Sequence, residues 1–103
     1  MHHFHRWRSV IVLARTPQEV NQVVRDYVAC LLPSELSKLP ESSQAAIAEA
    51  TIDLAGAALV LRRDELSFRG DDETISLMQE MTQTFSAASA RIANLETLPS
   101  DRD

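Results

Sequence analysis

Asp71-Asp72-Glu73-Thr74-Ile75-Ser76-Leu77-Met78-Gln79-Glu80-Met81-Thr82-Gln83-Thr84-Phe85-Ser86-Ala87-Ala88-Ser89-Ala90-Arg91-Ile92-Ala93-Asn94-Leu95 decides the fold class of this chain. Ile75, Met78, Met81, Phe85, Ala88, Ile92 and Leu95 recur at steps of three or four over about six turns, which places all of them on one side of an α-helix. Gly70 followed by Asp71, Asp72 and Glu73 marks the start. Carboxylates there accept from unpaired amides and offset the positive end of the helix dipole. So long a face reads as the core side of a bundle, with the seam of a coiled coil as the alternative.

Working back toward the N-terminus, a second helix is expected from between Pro40 and Ser43 to at least Arg62, ending before Gly70. Its apolar face is wide. Ile47, Leu54 and Leu61 form one seam, and Ile52, Leu59 and Leu66 form another about 140° round, so neighbours are expected on two sides. Gly56 falls inside this helix among alanines, where it costs about 1 kcal/mol unless a close contact uses it. Close packing within the core is expected there, with approach of a second copy as the rival.

Thr16-Pro17-Gln18-Glu19 is a helix start, with Thr16 as cap, Pro17 in the first helical position and Glu19 closing a capping box. Val20, Val23, Val24, Tyr27, Val28 and Leu31 then form one stripe, and the helix should stop near Leu32, before Pro33. The Pro- and Ser-rich connector 33–43 has room for a single helical turn carrying Leu36 and Leu39 inward. Residues 4–14 are ambiguous: Trp7, Val10, Ile11 and Ala14 fit a helical face, whereas Val10-Ile11-Val12 fits a strand. A helix is preferred, because a strand would need an edge to pair with.

A chain of 103 residues in which 45% are apolar and only two are Gly supports one domain with one core. The net charge of −5 is uneven: residues 1–15 carry Arg6, Arg8 and Arg15 with no acid, while 16–103 carry seven basic and fifteen acidic side chains. An acidic body disfavours nucleic acid as a partner. Cys30 is the single cysteine, so no internal disulfide forms, and a cytoplasmic location is expected. Cys30 itself should be a half-buried small hydrophobe. The run Val10–Ala14 is shorter than the apolar core of a signal peptide, and no stretch approaches the roughly 20 apolar residues of a membrane span.

Catalytic signals are sparse. All three histidines fall within the first five residues, and neither a Gly-rich phosphate loop nor a nucleophile elbow occurs. No catalytic residue and no cofactor is assigned. The reading is therefore an all-α bundle of three main helices plus a short N-terminal element, organised as a basic element 1–15, a bundle 16–98 and a tail 99–103. Its expected role is a non-enzymatic protein-interaction or regulatory module, with a protein partner or a second copy meeting Met78, Met81, Phe85, Leu59 and Leu66. The alternative role lies in the N-terminal arm. There His2, His3 and His5 would supply a Cu(II) or Ni(II) site built on the third-residue imidazole, or Arg6, Trp7 and Arg8 would touch an anionic membrane weakly.

Overall fold

The computed structural model describes residues 4–97, of which Phe4 and His5 are described by their backbone alone. Among the described residues every regular element is helical: α1 (Phe4–Leu13), α2 (Pro17–Ala29), α3 (Pro33–Leu36), α4 (Glu41–Ala48), α5 (Leu54–Ser67) and α6 (Asp72–Thr97). The fold is all-α, and α1 adopts the helix preferred from its spacing. The tail 99–103 lies outside the described residues.

The long apolar stripe of α6 is the spine of the core. Met78, Met81, Phe85 and Ala88 are fully buried, and Ile92 and Leu95 pack against the same cluster lower down. Helix α5 lies along α6 more extensively than any other pair of elements, and α1 and α2 cover α6 on another side. Ile11 and Ala14 are in the same cluster as Val20, Tyr27, Leu61 and Phe85, so the basic N-terminal element shares the one core. The body is elongated, 51 × 24 × 18 Å, with a radius of gyration of 14.0 Å.

Helix boundaries follow from the caps. Thr16 Oγ1 accepts from the Glu19 amide at 3.1 Å, and Glu19 Oε1 accepts in return from the Arg15 amide at 2.9 Å, one residue earlier than a standard box. Helix α2 stops at Ala29 rather than Leu32. Leu32 must be extended (φ −76°, ψ 134°) because a following proline disfavours the helical region, and Pro33 then opens α3. Leu36 and Leu39 turn inward from that single helical turn, as expected. Asp71 Oδ1 caps α6 by accepting from the Thr74 amide at 3.0 Å. Hydrogen bonds from the Thr74 hydroxyl and amide hold the Asp71 carboxyl below its usual range.

The largest departure from the expected layout is that the second long helix is two. Helix α4 ends at Ala48, the chain turns through residues 49–53, and α5 begins at Leu54 under a new cap, in which Asp53 Oδ1 accepts from the Gly56 amide at 2.9 Å. Gly56 is thus in the first turn of α5 and not in a helix interior. A Cβ at this position would run into the Asp53 carboxylate, so the missing side chain leaves room for the cap rather than for a neighbouring helix. The break lets α4 fold back on α5. Ser43 and Ser42 at the start of α4 both donate to Asp64 Oδ2 of α5, at 2.6 and 2.5 Å.

One tie spans the length of the sequence. Helix α1 has no basic residue in its last turn, and Arg91 of α6 takes that role, donating from Nε and Nη2 to the Ala14 carbonyl at 3.0 and 2.8 Å. Arg91→Ala should lower unfolding free energy by about 2 kcal/mol, the usual range for bonds to a charged group. Urea denaturation measures it, and a loss below about 0.5 kcal/mol would assign Arg91 no anchoring role.

Candidate functional site

The five residues expected to meet a partner separate into two groups. Met78, Met81 and Phe85 are fully buried, so they build the core and are closed to any partner in this fold. Leu59 and Leu66 are the reverse, 71% and 73% exposed, and Ile52 in the turn before α5 is 87% exposed. The helix does have two neighbours, α4 and α6, but neither covers the second seam. Leu54, Ala57, Ala58 and Leu61 face α4 and α6, while the Leu59 and Leu66 face is open among the described residues.

Charge on α5 is sorted in the same way. Its two acids each have a partner on a neighbouring helix: Asp64 is buried on the serine pair of α4, and Glu65 Oε2 accepts from Gln79 Nε2 of α6 at 3.2 Å on the exposed surface. Arg62 and Arg63 are exposed, as is Arg69 just beyond the helix end. Arg63 stands 3.5 Å from Asp64 Oδ1 yet keeps 68% of its side chain exposed. Arg62 and Arg63 lie three and four residues after Leu59, and four and three before Leu66. All four side chains therefore occupy one continuous patch of helix surface. That patch is apolar at its centre and basic at its flanks, on a chain whose net charge is −5.

A second feature lies on the far side of α6. A cleft of about 510 Å³ is lined by Trp7 of α1, Tyr27 and Cys30 of α2, Glu35 of α3, and Asp72, Glu73, Ser76 and Glu80 of α6. Its floor is aromatic. Trp7 meets Tyr27 edge-on at 5.5 Å and 73°, and Tyr27 meets Phe85 at 6.1 Å and 84°. The Tyr27 hydroxyl donates to Glu80 Oε2 at 2.9 Å. Burial, with the Glu80 carboxylate beside it, pushes the phenol far above its ordinary pKa, so Tyr27 stays a neutral donor at any working pH. The carboxylates give the cleft a negative field, but among the described residues no three His, Cys, Asp or Glu side chains are arranged to hold a metal ion.

Cys30 is exposed rather than half-buried. It caps the C-terminus of α2, its backbone amide donating to the carbonyls of Asp26 and Tyr27, so its side chain leaves the stripe that continues from Val23. Trp7 is half-buried against Tyr27, with the Arg6 guanidinium 6.0 Å from the indole centroid, so the indole is packed into the protein rather than held outward. Arg6 and Arg8 are exposed, and the outward apolar side chains of α1 are Val10, Val12 and Leu13. His2 and His3 lie outside the described residues, as does the His5 side chain, so the proposed copper or nickel ligands do too. No helix among the described residues is long and apolar enough to cross a membrane.

Neither a scan against protein-family models nor searches of curated proteins and of solved structures found a match for this chain.

Proposed function

We propose that this protein is a non-enzymatic interaction module that meets a protein partner through the outer face of α5. One observation carries the reading: Leu59 and Leu66, seven residues apart on one face, stand more than two-thirds exposed. The core is complete without them, and the other exposed large apolar side chains, Val10, Val12 and Leu13 of α1, Leu32 and Ile52, lie outside α5. Single exposed leucines are ordinary, but two in register on one helix face make a surface that gains by being covered. The lone cysteine fits work in a reducing compartment such as the cytosol.

The test separates function from folding. Leu59→Gln with Leu66→Gln should leave the thermal midpoint within about 2 °C, because neither side chain is in the core. In extract of the source cells, fluorescence-detected sedimentation should place the tagged native chain above its monomer mass and the double variant at it. A native chain that sediments as a monomer in that extract overturns the reading.

A further inference from the structure

We propose that the partner seated on α5 is an acidic, leucine-bearing helix; this deepens the reading of α5 as the contact face and rests on it. Two observations narrow the choice. The patch around Leu59 and Leu66 carries Arg62 and Arg63, while Asp64 is held on Ser42 and Ser43 of α4 and Glu65 bonds to Gln79 of α6. The apolar centre is narrow, Leu59 and Leu66 about 10.5 Å apart along the axis, with the smaller Ala55 one turn before Leu59. A partner helix presenting its own apolar residues at a seven-residue spacing fits that row, and glutamates or aspartates beside them fall opposite Arg62, Arg63 and, past the helix end, Arg69.

The same features weigh against the other occupants. A second copy, docked antiparallel about the midpoint of Leu59 and Leu66, brings Arg62 beside the other copy's Arg62 on one flank and Arg63 beside the other copy's Arg63 on the other. Like charges so placed oppose pairing. An anionic lipid surface would welcome the arginines, but two leucines bury little apolar area there. A nucleic-acid duplex presents phosphates and no apolar row to cover Leu59 and Leu66.

The experiment uses the full chain and three probes: a fluorescein-labelled helical peptide with leucines seven residues apart flanked by glutamates, the same peptide flanked by lysines, and vesicles containing about 30% phosphatidylserine as the anionic surface. Fluorescence anisotropy should show the glutamate peptide binding at least about tenfold more tightly than the lysine peptide. Arg62→Gln with Arg63→Gln should weaken it about fivefold, the sum of two surface pairs. Raising salt from 50 to 500 mM should weaken it further. Leu59→Gln with Leu66→Gln should abolish it. Both variant pairs change exposed side chains, and unchanged circular dichroism certifies their fold.

Equal binding of the two peptides, absent binding of the glutamate peptide, or insensitivity to the arginine pair overturns the proposal. So does vesicle binding tighter than peptide binding, or a pure native chain that sediments as a dimer. Those results leave the leucine-dependent complex in extract standing, whereas a monomer in extract removes the contact face itself.

Discussion

Phe85→Ala is expected to lower unfolding free energy by about 3 to 5 kcal/mol, the range for emptying a buried aromatic site. Phe85 is fully buried near the middle of α6, and its ring meets that of Tyr27, which in turn meets Trp7. One truncation therefore unseats a row of edge-on rings joining α6, α2 and α1. A domain of this size holds about 5 to 15 kcal/mol in all, so the variant should be largely unfolded at temperatures its parent tolerates. Urea denaturation gives the free energy, and loss of the near-ultraviolet dichroism of Trp7 and Tyr27 gives the location. Phe85→Leu should cost less, about 1.5 kcal/mol, since it keeps most of the volume. A loss under about 1 kcal/mol for the alanine variant would mean the site collapses without a cavity.

Asp64→Ala is expected to cost about 3 kcal/mol, because it removes the acceptor of two hydrogen bonds to a carboxylate and strands the fully buried Ser43 hydroxyl. Burial alone would raise the Asp64 carboxyl. The Ser42 and Ser43 hydroxyls, with the Arg63 charge, outweigh it and hold the group below its usual value near 3.8. Since the folded value is the lower one, the stabilisation is complete above the unfolded value and disappears as pH falls through the folded one. Asp64→Asn keeps an acceptor oxygen but cannot titrate. The stability gap between native protein and this variant should be constant from pH 7 to about 5 and close below about 4. A gap independent of pH down to 2 would remove Asp64 as the acid-sensitive joint of α4 and α5.

How much of this could be read beforehand depends on the range over which each signal acts. The face of α6 was legible because seven apolar residues repeat with the helical period for nearly its whole length, and local periodicity needs no knowledge of neighbours. The Thr16 cap and the Asp71 start were legible for the same reason. The break between α4 and α5 was hidden by alanine, which is equally content in one helix or two. Its only trace was Asp53 three residues before Gly56, a cap that looked like a glycine lost in a helix. The pairing of Ser42 and Ser43 with Asp64, and of Arg91 with Ala14, spans 21 to 77 residues, and nothing local announces it.

The candidate surface shows the same division. Leu59 and Leu66 were identified as a second seam from spacing alone, but spacing cannot say whether a seam is covered. Coverage was decided by α4, which turns back and occupies one side only. Met78 and Met81 were named for their flexibility, and in the fold that property serves an interior seat. The acidic cleft was not foreseen at all. Asp72 and Glu73 read as ordinary helix-start charges, and only the path of α3 brings Glu35 to the same rim.

The 51 Å long axis, more than twice either short one, has a practical consequence for anyone weighing self-association. A rod of that aspect experiences more friction than a sphere of equal mass, so a lone molecule will elute early from a sizing column and tumble slowly in solution. A migration-based radius would therefore overstate the mass of a single chain, and equilibrium centrifugation, which reports mass regardless of drag, is the measurement that counts chains correctly.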